Sequence, residues 1–253
     1  MTEEQITSLR RSDAPCRVHV FASLASTNTT LHEMARNGAP DGTAVIALTQ
    51  TAGRGRLGRE FSSPEGAGLY MSLLLRRSLP DERIPLLTPY AALVAAEAVE
   101  ALADVTVGIK WVNDLRIGEG KIAGILTEGE FTPDGHLAFA VVGIGINLKS
   151  GALPPHLAGI AAAIGDTAAP PPPEALAAAI LDRFFDRLPS LMDNSFLEDY
   201  RRRSVVLGRC VTATVGNETV TGVAEAIEED GALRLSTDAG VYRLRAGEVS
   251  IRL

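Results

Sequence analysis

Hydrophobic and polar positions change period several times along this chain, and each change marks an element. Residues 17–21 have strand character, then Ser26 and Thr27 stand where helix N-caps are favoured, ahead of Leu31, Met34 and Ala35 at helical spacing and a stop at Gly38. The pattern predicts strand, loop, helix. Residues 43–48 and 68–75 read as buried strands, and the glycine- and arginine-rich segment between them is placed on a loop. A long apolar run at 86–103, interrupted by Glu97 and Glu100 and preceded by Pro85, predicts a buried amphipathic helix rather than a membrane span.

Residues 105–111 have β character, and further strands are predicted at 121–128 and 136–147 around the turn formers Thr132, Pro133, Asp134 and Gly135. A turn that short cannot make a parallel crossover, so the sheet is predicted to be mixed or antiparallel. Four prolines at 170–173 stop regular structure, and a helix resumes over 175–188. Beyond Tyr200, Arg201, Arg202 and Arg203 come short alternating strands at 210–215, 219–225, 233–236 and 241–244, joined by Gly-Asn, Asp-Gly and Ala-Gly turns. They predict a small five-stranded barrel, so the fold class is α+β, with a first domain over 1–204 and a second over 205–253.

Composition narrows the function classes. A net charge of -7 works against broad binding of nucleic-acid backbone, so no DNA partner is expected. Cys16 and Cys210 match no metal-ligand spacing and form no disulfide framework, which points to a reducing compartment, the cytoplasm. Glu3 and Glu4 stand where a signal peptide carries basic residues, so neither secretion nor membrane insertion is expected. Histidines 19, 32, 136 and 156 show no ligand spacing, and no metalloenzyme is expected.

Four motifs carry candidate chemistry. Gly53-Arg54-Gly55-Arg56-Leu57-Gly58-Arg59 combines glycines that admit an anion to backbone N–H groups with guanidinium forks that match phosphate or carboxylate oxygens. It is no Walker loop, because Glu60-Phe61-Ser62-Ser63-Pro64 follows; composition alone allows a solvated basic loop equally well. Lys110-Trp111-Val112-Asn113-Asp114 sets a cation at a strand end with an amide and a carboxylate in the turn beyond, where an ordinary Asn-Asp turn is the plain alternative. Gly120-Lys121-Ile122-Ala123-Gly124-Ile125-Leu126 puts a lysine at the start of an apolar strand, where an edge lysine that snorkels is the alternative. Gly143-Ile144-Gly145-Ile146-Asn147 lacks the third glycine of a dinucleotide fingerprint, which leaves a strand whose glycines make room for a ligand and which ends in Asn147.

Taken in order with Ser26-Thr27-Asn28 and Gln50-Thr51-Ala52, these motifs resemble the biotin protein ligase family across most of residues 18–150. Gly208, Gly222, Asp230-Gly231-Ala232-Leu233 and Gly247-Glu248-Val249-Ser250-Ile251-Arg252 are similar to that family's C-terminal SH3-like domain. The resemblance implies a mixed sheet flanked by helices, related to class II aminoacyl-tRNA synthetases and lipoate ligases. It implies ATP-dependent conversion of biotin to biotinyl-5'-AMP and transfer of the biotinyl group to a lysine of a biotin carboxyl carrier protein.

The same resemblance distributes roles. Ser26, Thr27 and Gln50 would hold the biotin rings, with Asn28, Gly53, Gly55, Gly124, Ile125, Leu126, Gly143 and Gly145 around the substrate. Arg54, Arg56, Lys110 and Lys121 would supply positive charge, and Arg59, Phe61, Asn113 and Asn147 would serve the nucleotide. The family usually has Pro at Val112 and Trp at Phe61; neither change removes a charge or a hydrogen-bonding group, so activity is expected to survive. Only 25 residues precede Ser26, too few for a three-helix DNA-binding domain.

The chemistry agrees with these residue types. A carboxylate attacking the α-phosphorus of ATP needs no general base, but it needs fixed positive charge, N–H donors and Mg2+. A carrier lysine must lose a proton before it attacks, so Asp114 is expected to act in transfer, with an Mg2+ contact as the rival role. A lipoate or octanoate ligase and a non-catalytic biotin-binding module stay open, as do monomer and homodimer. By analogy the tail seals the nucleotide site through Arg252.

Overall fold

The structure is a computed structural model that describes every residue except 150, 152, 153, 158, 217, 252 and 253. Arg252 and Asn217 of the sequence expectations lie outside the described residues. The chain opens with a helix the pattern did not predict, α1 (Glu3–Leu9), which forms because Thr2 and Gln5 cap it reciprocally and Ile6 is buried beneath it. Strands β1 (Arg17–Leu24) and β2 (Thr43–Gln50) pair in parallel, with helix α2 (Thr27–Arg36) as the crossover between them.

Among the described residues, every other pairing between two strands is antiparallel. Strand β3 (Gly68–Leu75) is followed by helix α3 (Leu87–Leu102), and then by β4 (Gly108–Lys110), β5 (Asp114–Ile117), β6 (Gly120–Phe131) and β7 (Leu137–Asn147). The seven strands lie in the order β1-β2-β3-β7-β6-β5-β4. Helices α4 (Pro173–Asp186), α5 (Leu188–Asp193) and α6 (Phe196–Arg202) complete the first part. The predicted strand at 105–111 shrinks to three residues, because the chain turns at Trp111 to make the β4–β5 hairpin. Asp114 therefore opens β5 instead of sitting in the turn, and Lys121 lies on an interior strand instead of an edge.

Period-2 alternation splits the strands between two cores. Ala44 and Ile46 of β2, Leu69, Met71, Leu73 and Leu75 of β3, and Ala140, Val142, Ile144 and Ile146 of β7 join α3 and α4 in the larger one. Val45, Leu74, Phe139 and Val141 point the other way and meet Leu31 and Ala35 of α2. The segment Asp81–Leu102 is long and apolar enough to cross a membrane by length and composition, yet its residues Leu87, Tyr90, Leu93 and Val94 are wholly buried in the larger core.

The remaining strands are β8 (Cys210–Val215), β9 (Glu218–Ile227), β10 (Leu233–Thr237), β11 (Gly240–Leu244) and β12 (Glu248–Ile251). They form a second, antiparallel sheet in the order β11-β10-β9-β8-β12. Its inward residues Val211, Ala213, Ala224, Leu233, Leu235 and Val249 belong to the same core as α3, so apolar packing runs without a break across the junction. Trp111 is buried there and donates from Nε1 to the carbonyl of Gly231 at 3.0 Å. Gly231 has a φ of +80° and stands against Leu86, a conformation and a space that suit glycine.

Candidate active site

Strand register lays out the floor of the site. On the α2 face, Tyr70 of β3 lies opposite Gly145 of β7, Gly145 opposite Gly124 of β6, and Gly124 opposite Asp114 of β5. One pleat further, Ser72 lies opposite Gly143, and Gly143 opposite Leu126. A strip without side chains thus separates Ser72 and Tyr70 from Asp114, and a cavity of about 280 Å3 opens above it. Two of the glycines make room for protein groups: a methyl at Gly143 would overlap the Asn28 amide, and one at Gly145 would overlap the Phe61 ring.

One side of the cavity carries uncharged hydrogen-bonding groups. Ser26 occupies the N-cap position of α2, but its side chain makes no capping bond; it is buried and lines the cavity with Thr27 and Asn28. Gln50 Oε1 accepts from the backbone N–H of Thr27 at 2.8 Å and from its hydroxyl at 3.2 Å, while Gln50 Nε2 donates to Ser63 Oγ at 2.8 Å. Ser72, wholly buried, lies 2.8 Å from Thr27 Oγ1 and 2.6 Å from Asn28 Oδ1. These contacts turn the side chains toward a common space.

The other side is charged. Lys121 Nζ lies 2.7 Å from Asp114 Oδ1, and Lys110 Nζ lies 3.6 Å from Asp114 Oδ2, so one carboxylate stands between two ammonium groups. The β4–β5 hairpin and the β5–β6 pairing bring these three residues together. Arg56 donates from Nη1 to Asn113 Oδ1 at 3.0 Å and from Nη2 to the Gly247 carbonyl at 3.3 Å, and Asn113 Nδ2 is fixed on the Ile125 carbonyl at 3.0 Å. The other loop arginines are paired with carboxylates, Arg54 with Glu128 and Arg59 with Glu248. Arg54 is therefore neutralised where the sequence expectation had it supplying free charge.

The loop itself folds back on the sheet. Gly55 donates to the Arg59 carbonyl at 2.7 Å and Phe61 to the Gly53 carbonyl at 2.9 Å, which makes an irregular hairpin of the arginine segment. At its tip Leu57 is 71% exposed with a φ of +56°, a left-handed conformation that a leucine rarely adopts. Tyr70 donates to the Pro64 carbonyl at 3.0 Å and meets Phe61 edge-on, and burial raises its pKa above the ordinary phenol value.

Eighteen of the residues singled out from the sequence line this one cavity: Ser26, Thr27, Asn28, Gln50, Arg54, Gly55, Arg56, Arg59, Phe61, Lys110, Asn113, Asp114, Lys121, Gly124, Ile125, Leu126, Gly143 and Gly145. Gly53 and Asn147 stand outside it. Gly53 is pressed against the Phe61 carbonyl and Ser63, while Asn147 is buried and donates to the Ala162 carbonyl at 3.0 Å. The sequence reading missed Tyr70 and Ser72, and it expected the tail to reach the site through Arg252, whereas Gly247, Glu248, Val249 and Ser250 form the wall. Ser72 had a signal, a hydroxyl amid the apolar run of β3, whereas the C-terminal wall is brought in only by tertiary packing.

Comparison with known proteins assigns this geometry. Residues 20–147 match the biotin/lipoate A/B protein ligase family, and residues 206–252 match the biotin protein ligase C-terminal domain. The chain belongs to the biotin/lipoate A/B protein ligase family. It is 35% identical to the bifunctional ligase/repressor BirA of Bacillus subtilis over 90% of this chain and 72% of the relative. It is 31% identical to the biotin–acetyl-CoA-carboxylase ligase of Mycobacterium tuberculosis over 92% of this chain and 88% of that one. The crystal structure of Aquifex aeolicus biotin protein ligase with biotin and ATP superimposes with a TM-score of 0.78 and 28% identity, covering 93% of this chain and 98% of the other. The family fold, a mixed sheet flanked by helices and followed by an SH3-like antiparallel domain, is the one described above.

Proposed function

We propose that this protein activates biotin with ATP to biotinyl-5'-AMP and then transfers the biotinyl group to a lysine of a biotin carboxyl carrier domain, in the cytoplasm. One observation carries the reading: a single cavity has neutral donors and acceptors on one side and a Lys121–Asp114–Lys110 cluster with Arg56 on the other. A ureido ring is uncharged and presents two N–H donors and one carbonyl acceptor, which suits Ser26, Thr27, Asn28 and Gln50 on the cavity wall. Lipoate and octanoate lack such a ring and would strip water from those groups without offering them a further partner, at a cost in binding. The Mycobacterium tuberculosis relative and the Aquifex aeolicus structure, both named as biotin ligases, support the same choice.

In the first step a biotin carboxylate oxygen bonds to the α-phosphorus and the bond to the departing pyrophosphate breaks. Lys121 and Arg56 stabilise the charge that collects on the phosphate oxygens, from positions already set by Asp114, Asn113 and Gly247. In the second step the carrier amine attacks the acyl carbon, AMP leaves, and Asp114 orients that amine. Among the described residues no three His, Cys, Asp or Glu side chains gather into a metal site, and Asp114 is already engaged by two lysines. Mg2+ would arrive on the phosphates of ATP and offset their charge, with Asp114 the carboxylate of the cavity nearest the two lysines.

The deciding assay is ATP–pyrophosphate exchange with biotin, lipoate or octanoate, followed by labelling of a carrier domain. Exchange that depends on biotin, with labelling, supports the ligase; exchange with lipoate alone replaces it with the lipoate reading; biotin binding without exchange leaves a binding module. Asp114→Asn keeps an amide oxygen to hold Lys121, so adenylate formation is expected to fall only a few-fold while transfer falls by about 100-fold. Loss of adenylation in that variant would instead place Asp114 on the nucleotide.

A further inference from the structure

Glu128 follows Leu126 on the cavity face of β6, in the row where Leu74, Val141 and Glu128 lie side by side. It does not line the cavity. Its carboxylate nonetheless touches both sides of the site. Oε2 accepts from Asn28 Nδ2 at 2.9 Å, and the two oxygens take the Arg54 fork, Nη2 to Oε1 at 2.8 Å and Nη1 to Oε2 at 3.1 Å. Asn28 is held at its other end by Ser72 and rests over Gly143. The backbone of Arg54 forms an antiparallel β-bridge with that of Glu60 across the loop, so fixing Arg54 fixes both limbs of the arginine segment.

We propose that Glu128 is a positioning residue that couples occupancy of the uncharged pocket to ordering of the arginine loop. The inference rests on the ligase reading, in which biotin enters against Thr27, Asn28 and Gln50. A ligand there confines the Asn28 amide, which confines the carboxylate that accepts from it. A confined carboxylate presents a fixed pair of acceptors to Arg54, and a bidentate pair demands that planar geometry. The first ligand thereby meets part of the ordering cost of the loop, and the second ligand binds to a loop already in place. Without this coupling, Arg54–Glu128 would be a half-exposed ion pair of small worth.

The test measures affinity for α,β-methylene ATP with and without saturating biotin, on the whole chain. In the parent, biotin tightens nucleotide binding by about fivefold or more. Glu128→Gln keeps an amide oxygen for Asn28 but offers Arg54 no carboxylate; biotin alone binds it about as well as the parent, and the effect of biotin on the nucleotide disappears. Arg54→Met removes the pair from the other side and abolishes the biotin effect equally, with no further change in the double variant. Glu128→Asp restores part of it. A biotin effect that survives in Glu128→Gln, or in Arg54→Met should Glu128→Gln not fold, overturns the proposal. A parent that binds the two ligands independently also overturns it and leaves the ligase reading standing, whereas a parent that binds no biotin removes the ligase reading and this inference with it.

Discussion

Lys121 illustrates how much of the chemistry depends on one side chain held by another. Its ammonium is held by Asp114 at 2.7 Å, so in the proposed reaction it would need little reorganisation to meet a developing phosphate charge. Lys121→Met is expected to lower adenylate formation by about 100-fold or more, read as the rate of biotin-dependent pyrophosphate exchange, with the thermal midpoint little changed. His32 gives a second prediction at this scale. Burial lowers its pKa below the ordinary 6.5, outweighing Glu128 and Glu130, which raise it. The unfolded chain then takes up the proton first as pH falls, so this contribution to stability is complete above 6.5 and is lost as pH drops towards the folded value. Between about pH 7.5 and 5.5 the parent should lose more of its melting temperature than His32→Gln does. Residues of this kind were unequally legible. Lys121, Arg56 and Asn113 sit in motifs, but His32 and Glu128 owe their meaning to neighbours far away in the chain.

At the scale of elements, the long periodic segments were readable because their patterning agrees with where they pack. Strand β3 occupies the predicted span, and α3 differs from its predicted limits by one residue at each end. The short elements were hidden. Three residues of β4 carry no usable alternation, and the turn read at Asn113 and Asp114 in fact begins at Trp111. Helix α1 has one buried residue, so its capping box is a stronger cue than its hydrophobic spacing. The arginine loop carries the prediction at this level. Its exposed tip at Leu57, and its attachment to the rest of the molecule through the long side chains of Arg54, Arg56 and Arg59, suit a segment that opens and closes, so biotin with ATP should slow tryptic cleavage at Arg54 and Arg56. Equal cleavage with and without the ligands would rule that out.

The whole molecule is held together at Trp111. Its ring fills the junction between the two sheets, and its one N–H reaches the carbonyl of Gly231 on the far side. Trp111→Phe should cost about 1–3 kcal/mol by leaving that carbonyl without its indole donor, and a thermal melt should show the loss. The sequence divided the chain at 204 from a change in strand length, and it could not show how closely the two parts are joined. Arg56 on the Gly247 carbonyl and Arg59 on Glu248 tie the catalytic loop directly to the second sheet. The uninterrupted core has a practical meaning for anyone trimming the gene: a fragment stopped at residue 204 would present a raw oily face to water and clump, so an engineered miniature of this enzyme has to keep its tail or replace it with something equally greasy.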